Sequence, residues 1–285
     1  MSLITLTTDF GLKDHFVGAV KGAIYSEYPE VTIVDISHEI TPFNIAETAY
    51  ILKNAYKSFP EGTVHIVGVD SELNEENNHI ALKLDNHYFI CPNNGLISMI
   101  TSEFRPERIV EINIHDRIES NFPVLDVFVK VACHIKRGGT LEVIGKEISD
   151  YKKITDLQPV ISNDGNKITG SVIYIDNYGN AVTNISRKLF QQIGRGRKFE
   201  LRADRYPFNK IYNKYSDIVD FSVAPEDRHV EGRRMAIFNS SDLIEIAMFK
   251  STTNTGGSAS KLLGLSYRDQ LTLTFEPEEK LTYDN

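Results

Sequence analysis

The feature that most constrains this chain is a change of hydrophobic period near its middle. In the first half, short β-rich runs alternate with segments of helical spacing. Residues 3–8 form one such run and end in Asp9-Phe10-Gly11. Over residues 15–25, Phe16, Val17, Val20 and Ile24 recur at helical spacing until Pro29 closes the segment. Residues 31–36 read as the next strand, and residues 41–59 as a helix with Pro42 in its first turn. A third strand is expected over 64–69 and a hairpin-like pair over 80–84 and 88–91, followed by the turn Pro92-Asn93-Asn94-Gly95. Residues 127–136 read as a last helix, stopped by Gly138-Gly139. This alternation predicts an α/β N-terminal domain with a largely parallel sheet.

From residue 144 to 166 the pattern dissolves into a polar, charge-mixed connection with Pro159 and Asn163-Asp164-Gly165. The expected domains are therefore residues 1–155 and 156–285. Beyond the connection the period becomes two, over 167–175, 198–201, 234–238, 243–248 and 270–275. Short strands without long helices predict a smaller C-terminal antiparallel β-barrel domain. By composition, residues 251–260 form a loop and the acidic stretch after Phe275 a frayed tail.

Composition narrows the partners. No apolar run approaches the roughly 18–20 residues that cross a bilayer, so no membrane role is expected. The opening MSLITLTTDFG has neither a basic region nor a small-residue cleavage site and reads as a first strand. Cys91 and Cys133 lie far apart in apolar runs, as reduced core residues do. A cytoplasmic location fits these features. A formal charge of −8 argues against a nucleic-acid partner, and the basic cluster at 195–205 reads as a solvated strand edge. A cationic small molecule suits the acidic balance better, although net charge alone does not decide it.

Asp9 stands where a strand of an open α/β sheet gives way to a helix, the place where such sheets bind ligands. A carboxylate there either accepts both hydroxyls of a ribose or caps the next helix, and both readings stand. Asp14-His15 and Asp35-x-x-His38 raise a metal reading, but no further ligand follows at a convincing spacing. No metal is expected. HExxH, Cys-x-x-Cys, Gly-x-Ser-x-Gly, a Walker loop and a dinucleotide fingerprint are all missing from the sequence. Three polar turns stand out, at 91–96, 174–185 and 238–247, and each taken alone is ordinary turn chemistry.

Their combination and order carry more. TTDFG with KGAIY, VDISHEITPFNI, FPEGTVHIVGVD, PNNGL, IDNYGNAVTNI and NSSDLIEIA together resemble the S-adenosylmethionine hydroxide adenosyltransferase family. That family also contains the adenosyl fluorinase and chlorinase. The likeness runs in order from about Leu3 to Phe275. It implies trimers in which a ligand lies between one subunit's N-terminal domain and its neighbour's C-terminal domain. Carried over residue by residue, Asp9 would hold the ribose hydroxyls, and Asp14 and Asp176 the methionine ammonium. Ser240 would hold the methionine carboxylate, and Asn180 the adenine, with Tyr178 and Tyr215 stacked on its faces. Asn94 of the PNNGL turn and Phe122 join the substrate-binding set. Such roles make physical sense, since a flat heterocycle favours aromatic faces and a sulfonium favours carboxylates.

The departures concern the water site. Water-using members follow the third strand with Asp-Pro-Gly-Val-Gly and then an arginine. Here Asp70 is followed by Ser71-Glu72-Leu73-Asn74, and Asn77 stands near the arginine's place. The family's Thr-Phe-His-Gly-Arg-Asp becomes Asn121-Phe122-Pro123-Val124-Leu125-Asp126, so its histidine is Pro123. The resemblance implies water attack at C5′ of the sulfonium, giving adenosine and methionine without a cofactor. Asp70 would then be catalytic together with Asn77 and His79. The alternative is a catalytically silent binder of S-adenosylmethionine or adenosine. Halide transfer is disfavoured, because the positions around the halide pocket are Asp70 and Leu73, and a carboxylate repels an anion.

Overall fold

Two compact units divide the chain, Met1–Asp156 and Leu157–Asn285. The computed structural model describes residues 2–101, 105–114, 120–155, 157–251 and 257–277. The tail after Phe275 and the loop expected over 251–260 therefore lie partly outside the described residues, at 278–285 and 252–256.

In the first unit, seven strands share one sheet in the order β2-β1-β3-β5-β4-β6-β7. They are β1 Leu3–Thr8, β2 Thr32–Ser37, β3 Val64–Gly68, β4 His79–Leu84, β5 His87–Pro92, β6 Arg108–Ile112 and β7 Gly145–Glu147. Strands β2, β1, β3 and β5 run parallel, while the pairs β4–β5, β4–β6 and β6–β7 are antiparallel. The hairpin between β4 and β5 turns through Asp85 and Asn86, at φ 51° and 60°. Short polar side chains tolerate that left-handed backbone better than others. β6 and β7 were not anticipated, and β7 has only three residues.

Helices α1 (Phe16–Glu27), α2 (Ile45–Ala55), α3 (Leu96–Ile100) and α4 (Val129–Lys136) accompany this sheet. A π-helical turn, Val124–Phe128, leads into α4. Ile4, Leu6 and Ile66 pack with Val20 and Ile24 of α1 and Ala132 of α4. Val67, Leu82 and Phe89 pack instead with Ala49 and Leu52 of α2 and Leu96 of α3. Buried on both faces, β1 and β3 have no exposed residue and show no polar alternation. α2 starts later than its apolar pattern suggests. Phe43 is held at φ 63°, which is not helical, and Asn44 accepts the Glu47 amide as N-cap at 3.1 Å.

The second unit pairs β8 (Val160–Ile161), β9 (Lys167–Ile175), β10 (Ala181–Ser186), β11 (Phe199–Ala203), β12 (Tyr206–Phe208), β13 (Ile211–Tyr212), β14 (Arg234–Phe238), β15 (Leu243–Met248) and β16 (Gln270–Phe275). The order is β12-β11-β16-β9-β10-β15-β14-β13, with β8 beside β9. β13–β14 is a parallel pair, and the other pairs run antiparallel. One apolar cluster collects Leu201, Phe208, Ile168, Ile246 and Phe238 from strands far apart in that order. The Arg234 guanidinium of β14 lies over the Tyr206 ring of β12, 5.3 Å from its centre. The sheet thus curls around one core until it is nearly barrel-shaped. Helices α5 (Arg187–Gly194) and α6 (Ala259–Leu262) attach to it. α5 departs from the period-two expectation; Ser186 caps it by accepting the Leu189 amide.

Both cysteines are free and buried, and burial pushes the Cys133 thiol up to about 11. Among the described residues, no helix is long and apolar enough to cross a membrane. A buried polar file crosses the first sheet, where Thr5 Oγ1 meets His65 Nδ1 at 2.6 Å and His65 Nε2 meets His87 Nδ1 at 3.2 Å. Desolvation, then the neighbouring His87, lowers His65 to about 3. An unfolded histidine, at about 6.5, takes up a proton that native His65 refuses. Between these values the unfolded state binds more protons, so stability falls as pH drops through that window. The expected slope from His65 is about 1.4 kcal/mol per pH unit. Urea unfolding at pH 7 and pH 5 checks this: His65→Gln should flatten the dependence, and an unchanged slope would refute it.

Candidate functional site

Each unit gathers its own set of polar side chains. In the first, the residues after β1 and β3 line a cavity of about 560 Å³ with Phe43, Leu73 and Phe122. Asp9 and Asp70 supply its carboxylates. Phe10, Phe16 and Phe122 make a mutually packed apolar floor, with ring centres 5.4–5.9 Å apart. Asp9 does not cap α1, whose N-cap position is His15 and has no side-chain cap. Asp9 Oδ2 instead accepts the Phe43 amide at 2.9 Å, which fixes the carboxylate toward the loop before α2.

The turn beneath Asp9 is held by His38. The His38 carbonyl accepts the Gly11 amide at 2.8 Å, and Nδ1 meets Thr8 Oγ1 at 2.7 Å. His38 Nε2 lies 3.1 Å from Asp35 Oδ1 but is poorly aligned for a hydrogen bond. Burial raises the Asp35 carboxyl, yet Lys21 and His38 together outweigh it and hold the group below the usual value. These residues brace the turn. No group of three or more His, Cys, Asp or Glu able to hold a metal occurs among the described residues.

Asp70 sits at φ 49°, a left-handed position that a non-glycine residue adopts at a cost. What holds it there is a row of side-chain donors on four successive carbonyls. Asn94 Nδ2 donates to Val69 O at 3.1 Å, and Asn77 Nδ2 to Asp70 O at 2.8 Å. His79 Nε2 donates to Ser71 O at 3.0 Å, and Asn77 Nδ2 again to Glu72 O at 3.1 Å. A carbonyl only accepts, so His79 carries its proton on Nε2. The His79 ring is fully buried, edge-on to Phe128 at 4.7 Å. Neither Asn77, His79 nor Asn94 lines the cavity; all three grip the loop that carries Asp70. Asn77 and His79 both direct side-chain donors at the backbone of the loop that carries Asp70. Asp14 is exposed ahead of α1 and also does not line the cavity.

In the second unit a cavity of about 830 Å³ brings together Asp176, Tyr178, Asn180, Tyr215 and Ser240. Asp176 closes the β9–β10 turn: its Oδ1 accepts the Tyr178 and Asn180 amides at 2.9 and 2.8 Å. Asp176 Oδ2 accepts Asn180 Nδ2 at 3.0 Å. Tyr178 and Tyr215 are 58% and 40% exposed, which leaves ring surface open for a ligand. Glu245, on β15, is only 5% exposed and also lines this cavity. It accepts the Tyr215 hydroxyl and Asn239 Nδ2. Burial pushes the Glu245 carboxyl up against the opposing pull of those two donors. Burial, then Glu245, pushes the Tyr215 phenol up as well. Glu245 and Asn239 were not singled out from sequence, although an acid inside the apolar run LIEIAM is the signal that marks Glu245.

An α/β unit with carboxylates at its strand ends, joined to a barrel-like unit with an amide-and-tyrosine cavity, narrows the class. The chain belongs to the SAM hydroxide adenosyltransferase family: the model of its N-terminal domain matches residues 4–145 and that of its C-terminal domain residues 170–272. An (R)-S-adenosyl-L-methionine hydrolase of Methanocaldococcus jannaschii is 29% identical over 96% of this chain and 97% of its own. A fluorinase of an Actinoplanes species is 26% identical over 70% of this chain and 77% of its own. A crystallised conserved protein of Thermotoga maritima superposes with a TM-score of 0.79 at 30% identity, over 95% of this chain and 99% of that one.

The bracing can be tested directly. Asn77→Ala removes the donors to two carbonyls and should lower the unfolding free energy by about 1–3 kcal/mol. Urea denaturation at neutral pH reads this, and unaltered stability would show that the loop holds without Asn77.

Proposed function

We propose that this chain is an (R)-S-adenosyl-L-methionine hydrolase, converting S-adenosyl-L-methionine and water to adenosine and L-methionine. The observation that carries this reading is Asp70, set on a braced left-handed turn and sharing one cavity with Asp9 above an aromatic floor. Likeness to hydrolases of this name across nearly the whole chain supports it.

The water oxygen forms the new bond to C5′ while the C5′–S bond breaks. Its electron pair goes to sulfur, which leaves as the neutral thioether of methionine. No general acid is needed for such a leaving group, and the substrate carries its own activation without a cofactor. The protein must place water in line behind C5′, exclude competing solvent and receive a proton. Asp70 is the acceptor in this scheme. Asn77 and His79 serve it as positioning residues, with Asn94, by holding its loop. Phe122 gives the apolar wall.

Asp9 holds the ribose diol, Asp14 and Asp176 the ammonium, and Ser240 the methionine carboxylate. Asn180 meets the adenine, which stacks with Tyr178 and Tyr215. We further assign the chain to a cytoplasmic homotrimer that binds a small adenosyl ligand at subunit junctions and touches neither nucleic acid nor membrane. Its C-terminal domain is the smaller one and antiparallel in plan.

Incubating the purified protein with S-adenosyl-L-methionine and following adenosine and methionine tests this reading. Asp70→Asn should lower kcat by about 10²–10⁴-fold while ligand binding persists. Asp9→Ala should weaken binding by about 1–3 kcal/mol. Tight binding without any turnover by the wild type would favour a silent binder, and no binding would reject both.

A further inference from the structure

We propose that the stretch by which the chain leaves the first unit, residues 151–154, is a strap that positions the Asp70 loop. The two are coupled through one turn, Asn93-Asn94-Gly95, in which the first asparagine holds the strap and the second holds the loop. The kinetic consequence rests on the hydrolase reading, whereas the coupling itself does not.

The strap is bound to the turn and to the helix that follows it. Asn93 Oδ1 accepts the Lys152 amide at 2.8 Å. Ser98 Oγ, on α3, accepts the Ile154 amide at 2.9 Å and donates to Gly95 O at 2.7 Å. Tyr151 packs against the apolar cluster of α2 and α3, and its hydroxyl lies 3.0 Å from Thr101 Oγ1. Gly95 lets the strap come close. It sits at φ 100°, and a Cβ there would run into the Ile154 side chain.

The same turn grips the Asp70 loop from its other side. The Asn93 amide donates to Asn78 O at 2.7 Å, and Asn94 Nδ2 donates to Val69 O at 3.1 Å. Asn94 Oδ1 accepts the Leu96 amide at 3.3 Å, which fixes the end of the side chain that meets the loop. From Lys152 through Asn93 and Asn94 to Val69 there are two hydrogen bonds and one peptide link, with no long flexible side chain between. A shift of the strap is therefore passed to the residue before Asp70. The strap ends two residues before Asp156, the last residue of the first unit, so the connection to the second unit starts from it. A carboxylate that must receive a proton from an in-line water tolerates little displacement, and kcat is the quantity that suffers.

Asn93→Leu keeps the bulk of the side chain and removes the acceptor for Lys152, whereas Asn93→Asp keeps an acceptor oxygen. In the full-length protein, Asn93→Leu should lower kcat for adenosine release from S-adenosyl-L-methionine by about tenfold and leave KM unchanged. Hydrogen exchange over residues 69–77, where the Asn74 and Asn77 amides bond across the loop, is read by mass spectrometry. It should quicken by about three- to tenfold in the same variant. Asn93→Asp should restore both quantities. Ser98→Ala loosens the strap at its other hold and should move both in the same direction, which covers an Asn93→Leu protein that fails to fold. In an Asn94→Ala background, Asn93→Leu should change neither by more than about twofold further, because the path is already cut. Wild-type kcat with unchanged exchange over 69–77 in Asn93→Leu, or effects that simply add in the double variant, would overturn the inference. Quickened exchange there, in a protein whose wild type turns over no substrate, would keep the strap and reject the hydrolase reading alone.

Discussion

The main chain from Val69 to Glu72 is held by its carbonyls, and the first unit's candidate chemistry depends on that grip. An aspartate at positive φ relaxes unless its surroundings over-determine it. Asn77 and His79 at the start of β4 and Asn94 beyond β5 converge on consecutive acceptors. Their burial keeps water from competing for those bonds. The root of the loop is constrained as well. A Cβ at Gly68 would lie 2.7 Å from the Val124 side chain, so the end of β3 and the π-helical turn leave no space between them. Geometry at Asp70 thus follows from packing at one end and from amide and imidazole donors along the rest.

The second unit reaches a similar result by different means. There the polar groups are linked to one another by side-chain hydrogen bonds. Glu245 stays in an apolar strand because Tyr215 and Asn239 satisfy it, which is the condition for keeping a carboxylate out of water. The β9–β10 turn adds rigidity, since Asp176 accepts three hydrogen bonds within five residues. Two exposed tyrosines above this network leave recognition to surfaces already set before a ligand arrives.

Much of this was legible in the sequence. The change of period located two units, the end of the first strand located Asp9, and the family resemblance pointed to Asp70. The turn motifs located Asp176, Asn180 and Ser240, which the structure places around one cavity. What stayed hidden was long-range or local in ways that periodicity does not report. His79 falls just ahead of the strand expected over 80–84, yet it opens β4 and is buried against Phe128. Asn77 occupies an approximate family position, but its amide is consumed by two carbonyls. The onset of α2 was displaced because the apolar pattern cannot show that Phe43 is non-helical. Strands of two or three residues give too few alternations to register.

Gripping a loop through its backbone has an evolutionary side. Carbonyl oxygens are the same whatever side chain a residue carries, so positions 71 and 72 can drift in sequence while the path of the chain persists. Selection would fall on the donors at 77, 79 and 94, which do not line the cavity. The residues least free to vary need not be those that line the cavity.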